Sequence, residues 1–198
     1  MPDNQHWVGT WTTAPAPAEA AAFSNQTLRM NARTSLGSDT LRVRLSNACG
    51  GRKLTIGAAR VALRDTGPGI KSGSDRKLTF GGAESATIAA GALLVSDPVA
   101  FDLPPLADVA ISIYLPEELS PSFGITGRYA RQTNYVSPPG DFTASVVMPV
   151  MQSPEVTTGA KQHLADLVVR AAHSHFLIQG TDDAQLYREL RHVAGLDG

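Results

Sequence analysis

The residues of this 198-residue chain best suited to chemistry gather near its C-terminus, where His173-Ser174-His175 is followed by Asp182 and Asp183. These are the types that serine hydrolysis needs: a hydroxyl nucleophile, an imidazole base and an orienting carboxylate. On a helix, however, adjacent side chains diverge by about 100°, so Ser174 points away from both neighbouring imidazoles and the cluster reads as a solvated polar face. Adding His163 does not make a metal centre. Spacings of ten and two lack the i, i+4 geometry that sets two imidazoles on one helical face, so no metal ligands are assigned. Asp3-Asn4-Gln5-His6 fits an Asp-x-x-His pattern, but at a chain end it reads as coincidence. The single cysteine, Cys49, reads as a small buried thiol.

Binding chemistry has a different set of candidates. Trp7, Trp11, Tyr129 and Tyr135, with Arg131 and Asn134 in the polar string Arg131-Gln132-Thr133-Asn134, have the makings of an aromatic surface edged by hydrogen-bonding groups. Such a surface suits a carbohydrate or an acylated glycan. The competing reading makes the tryptophans anchors of the first strand. Phosphate-binding loops, dinucleotide fingerprints, Gly-x-Ser-x-Gly elbows and His-Glu-x-x-His motifs do not occur, and no cofactor is implied.

Composition bounds the rest. Seventeen basic and 18 acidic residues leave a net charge of -1, without the electrostatic footprint of a nucleic-acid or anionic-membrane partner. There is no run of about 18 apolar residues, and Met1 to His6 holds neither a basic region nor an apolar stretch. The expectation is a soluble chain with no export signal. Only 18% of residues are charged, and 18 glycines with 13 prolines point to a turn-rich β protein.

The elements follow from periodicity. Leu41, Val43 and Leu45 alternate with Arg42 and Arg44, and Val109, Ile111, Ile113 and Leu115 alternate with Ala110, Ser112 and Tyr114. Further strands are expected within 27–33, 54–63, 77–80, 86–89, 99–103, 127–136 and 142–147. The change of phase at Gly57-Ala58-Ala59 reads as a β-bulge. Eight or nine short strands without helical crossovers predict an antiparallel β-sandwich of the jelly-roll kind over residues 1–150.

Texture changes near residue 150, since every proline lies at or before Pro154 while four of the five histidines follow it. Stripes through Leu164, Leu167, Val168, Ala171, Ala172 and His175, and through Leu186, Leu190 and Val193, predict a helical tail over 151–198. Its two helices are expected at 159–178 and 183–194.

The β segment resembles a known family. Trp7-Val8-Gly9-Thr10-Trp11, Leu41-Arg42-Val43-Arg44-Leu45-Ser46-Asn47, Leu54-Thr55-Ile56-Gly57-Ala58-Ala59, Gly73 to Gly82, Ser96-Asp97-Pro98-Val99 and Leu106 to Pro116 are similar to the N-terminal β domain of two-domain bacterial GDSL-type (SGNH) esterases. The resemblance spans residues 7–150. It implies a hydrolase domain after the β domain, opened by a Gly-Asp-Ser block, yet this chain contains no Gly-Asp-Ser, and none of the family's catalytic residues carries over. Three functions stay open: an accessory or binding β-sandwich domain without its own catalysis, an ester hydrolase whose site forms with the C-terminal helices, and a module that self-associates into homo-oligomers through those helices.

Overall fold

The computed structural model describes residues 6–12, 23–48, 50–118, 133–151 and 175–180, with His6 and 175–180 described by their backbone. Among these described residues there are twelve strands: β1 (His6–Trp11), β2 (Gln26–Arg33), β3 (Ser38–Ser46), β4 (Leu54–Ile56), β5 (Ala58–Leu63), β6 (Arg76–Lys77), β7 (Ala86–Ile88), β8 (Leu93–Val95), β9 (Val99–Leu103), β10 (Asp108–Leu115), β11 (Tyr135–Pro139) and β12 (His175–Gly180). One five-stranded sheet has the order β1-β12-β3-β8, with β9 also on β3. A second runs β11-β2-β10-β5-β6, and β4 pairs with β7. Every pairing is antiparallel. The protein is mainly β, with no helix among the described residues.

Alternation sends Leu41, Val43 and Leu45 of β3 into the core, where they join Leu28 and Met30 of β2, Val61 of β5, and Val109, Ile111 and Ile113 of β10. The two large sheets therefore share one apolar interior. β2 and β10 depart from simple alternation, because almost every residue in them is buried. Leu28, Met30 and Ala32 face the core, whereas Thr27, Arg29 and Asn31 occupy the opposite face and are buried too. What covers that second face is the segment 133–151. Gln26 Nε2 donates to Ser137 O at 2.9 Å, Phe142 N donates to Thr27 Oγ1 at 2.8 Å, and Asn31 N donates to Asn134 Oδ1 at 2.9 Å.

Three expectations are corrected. Residues 54–63 do not form one bulged strand: β4 pairs with β7 and β5 with β10, so Gly57 is where the chain leaves one sheet for another. The close approach there leaves no room for a side chain, since a Cβ on Gly57 would lie 2.7 Å from Tyr114 Cδ1. Residues 142–147 contribute turns and a single bridge, Val147 to Gly69, instead of a strand. The helix expected to reach residue 178 gives way to β12 at 175–178. His175-Phe176-Leu177-Ile178 is a short run that periodicity alone cannot divide between helix and strand. The open edges of β1 and β3 decide it, by hydrogen-bonding this backbone on both sides. β12 thus brings part of 151–198 into the same sheet as β1 and β3. The remainder of that helix, and the whole of the one expected at 183–194, lie outside the described residues.

Candidate functional site

Arg29 is the residue on which the site is built. It lies between Leu28 and Met30 in a strand buried on both faces, and it is fully buried itself. Among the described residues no carboxylate pairs with it. Instead Nε donates to Ser112 Oγ at 2.8 Å, Nη1 to Pro68 O at 2.5 Å, and Nη2 to Ser145 O at 2.7 Å and Thr143 O at 3.4 Å. Burial lowers its pKa to about 10, with the Asp75 charge acting in the opposite sense. The group stays cationic at neutral pH, and its fork ties β10, the 67–70 turn and the 142–145 segment to β2.

The last of these segments forms one wall of a cleft of about 380 Å³. Thr143, Ala144 and Ser145 face Arg60 of β5, Lys77 of β6 and Glu84, with Asp141 at the rim and Ala58 and Ala59 supplying methyl groups. Each charged group is held. Arg60 Nε donates to Asp75 at 2.8 and 2.9 Å, and this hydrogen-bonded contact raises the guanidinium above its ordinary pKa while burial opposes it. Asp75 is positioned by the turn before it, where Ser74 Oγ accepts from Leu63 N at 3.0 Å and donates to Lys71 O at 2.7 Å. Lys77 Nζ pairs with Glu84 Oε1 at 2.7 Å on the exposed rim. Asp141 Oδ1 accepts from Thr143 N at 2.9 Å and Thr143 Oγ1 at 2.7 Å.

Donors and acceptors thus alternate around a small-residue floor, an arrangement suited to exchanging hydrogen bonds with a polyhydroxyl ligand. Among the described residues, no hydroxyl, imidazole and carboxylate converge, and no group of three or more His, Cys, Asp or Glu is placed to hold a metal ion.

The sequence candidates are dispersed. Trp7 and Trp11 do not share a face, a correction to the aromatic surface expected of them. A register shift between Gly9 and Trp11 inserts Thr10, so Trp11 packs against the core while Trp7 lies under the Arg42 guanidinium, 5.3 Å from the ring centroid. Thr10 explains the shift: its hydroxyl accepts from Leu36 N at 2.7 Å and donates to Leu36 O at 3.0 Å. Asn134 is buried, and its side-chain oxygen binds the β2 backbone. Tyr135 stands opposite Arg29 in the other large sheet from the tryptophans. Tyr129 and Arg131 lie outside the described residues, as do His173, Ser174 and Asp182. His175 opens β12 opposite Arg44.

Several residues that carry the resemblance hold loops. Asp97 accepts from Thr79 Oγ1 at 2.7 Å, Gly82 N at 2.7 Å and Gly81 N at 3.0 Å. It thereby secures two glycines at φ 61° and 83°, a conformation that disfavours any other residue. Backbone donation from Gly82, then the Thr79 hydroxyl, pulls the Asp97 carboxyl below its ordinary value. Asn47 Nδ2 donates to the carbonyls of Arg52, Ala89 and Ile88 at 2.8, 3.0 and 3.1 Å.

Arg29, Arg60, Asp75, Lys77, Glu84, Asp141, Thr143 and Ser145 were not candidates from sequence. The one signal for them was a charge inside Thr27-Leu28-Arg29-Met30, where a buried strand ought to be apolar. No protein-family model and no curated protein matches the chain.

Proposed function

We propose that this chain is a binding domain related to the accessory β domain of GDSL-type esterases, with a jelly-roll-like sandwich as its frame and without catalysis of its own. Its ligand is a carbohydrate or acylated glycan, seated in the cleft between β5, β6 and the 141–145 segment. The observation that carries the reading is the cleft itself. Arg60, Lys77, Glu84 and Asp141 are each fixed by a protein partner before any ligand arrives, which lowers the ordering cost of binding. Hydroxyl-rich ligands use such alternating donors and acceptors, while a serine-triad ester cleavage needs an imidazole base, and no histidine is among the residues that line this cleft.

Calorimetric titration with neutral oligosaccharides tests it. Binding is expected to weaken by about tenfold in Asp141→Ala and in Arg60→Ala, each of which removes charge-assisted hydrogen bonds. Unchanged affinity in both variants sinks the cleft assignment. Turnover of short-chain p-nitrophenyl esters that a serine-directed inhibitor abolishes would instead establish a hydrolase.

A further inference from the structure

The outward face of β3 carries two guanidinium groups. Arg42 and Arg44 alternate with core residues and so project from the same side of the strand, roughly 6–7 Å apart. β12 places Leu177 opposite Arg42 and His175 opposite Arg44, β8 places Val95 beside Arg44, and β1 brings Trp7 over to Arg42. Among the described residues, neither arginine has an ion pair. Asp97, whose charge Arg42 does feel, spends its carboxylate on Thr79, Gly81 and Gly82.

The two side chains are held differently. Arg42 stacks on the Trp7 ring and donates from Nε to Ser96 O at 2.7 Å, so its planar fork is held in place. Arg44 Nε is shielded from solvent and, among the described residues, has no hydrogen-bond acceptor. A cationic donor in that state carries a desolvation penalty, which an anion would relieve.

We propose that Trp7, Arg42 and Arg44 form an oxyanion site for an acidic sugar, separate from the cleft on the other sheet. The carboxylate or phosphate engages the terminal amino groups of both guanidiniums, and the sugar ring lies along the Trp7 edge. The oxyanion supplies the affinity, and the indole sets the preference for a ring-bearing ligand.

The test is titration of the full chain, followed through the arginine Nε–H resonances, with galacturonate, glucose 6-phosphate, glucose and inorganic phosphate. Both acidic sugars are expected to move the Arg42 and Arg44 signals; a response to one alone assigns the oxyanion. Glucose is expected to leave them in place. Arg44→Lys keeps a positive charge but lacks the planar guanidinium that can meet an oxyanion with two parallel donors, and it is expected to weaken binding by about tenfold. Arg33→Ala, which removes an exposed arginine of the other sheet outside the cleft, is expected to bind acidic sugars normally, which separates this site from a general effect of positive charge. Absence of any shift, equal shifts with glucose, inorganic phosphate binding as well as glucose 6-phosphate, or full affinity in a folded Arg44→Lys variant would each overturn the proposal.

Discussion

Replacing Arg29 with Met removes the fork while keeping a side chain of similar reach, and its cost can be worked from the contacts. Three acceptors lie at short distance, Ser112 Oγ at 2.8 Å, Pro68 O at 2.5 Å and Ser145 O at 2.7 Å; Thr143 O at 3.4 Å is weak. Each strong acceptor left dry costs about 1–3 kcal/mol. Against this, the variant no longer desolvates a guanidinium whose pKa burial lowers to about 10 in the fold. At about 1.4 kcal/mol for each pH unit, that relief is on the order of 3 kcal/mol. Taking the middle of the range, the net loss is about 3 kcal/mol, and a chain of this size should melt roughly 6–12 °C lower. Urea denaturation gives the free energy directly, and calorimetry gives the melting shift.

The same substitution should loosen the 142–145 wall, so oligosaccharide binding should fall along with stability. Arg29→Lys should land between the two proteins, because an ammonium can satisfy some of the carbonyls without the planar fork. An Arg29→Met protein within about 0.5 kcal/mol of the parent, with its cleft still binding, would refute the idea that this guanidinium organises the outer face.

Asp75→Asn removes the charge that locks Arg60; with both side chains about one-fifth exposed, the expected loss is about 1–2 kcal/mol, measured by urea denaturation, with weaker ligand binding in the same samples. Asp97 has a lowered carboxyl pKa in the fold, so its contribution is complete above the ordinary value of 3.8 and disappears as pH falls through its folded value. Acid unfolding followed by circular dichroism should therefore begin at higher pH without this group, and Asp97→Asn should flatten the stability–pH curve on the acid side. Gly57→Val puts its Cβ 2.7 Å from the Tyr114 ring, and a loss of about 1–3 kcal/mol is expected from the forced shift, read as a lower melting temperature. Leu177→Pro withdraws a backbone donor from β12 between β1 and β3, and hydrogen exchange in β1 should accelerate sharply while that in β10 changes little.

Some of this was legible in the residues themselves. Leu41-x-Val43-x-Leu45 and Val109-x-Ile111-x-Ile113 named their strands and the residues that meet in the shared core, since a period of two puts them on one face, but not that the other face of β10 is buried as well. The break at Gly57 was visible as a change of phase, though not that the chain crosses there between sheets. Trp7 and Trp11 are four residues apart and would share a face in an unbroken strand. Thr10, anchored to Leu36, turns them to opposite sides through a long-range contact that spacing does not encode.

What the chain determined by itself was the list of strands that can bury a face, because alternation is local. Which of them become neighbours, that β12 completes the sheet of β1 and β3, and that Arg29 gathers Pro68, Ser112, Thr143 and Ser145 around one charge were decided by tertiary structure. Backbone edges and buried donors must find partners wherever the folded chain offers them, and those partners lie up to 116 residues away from Arg29.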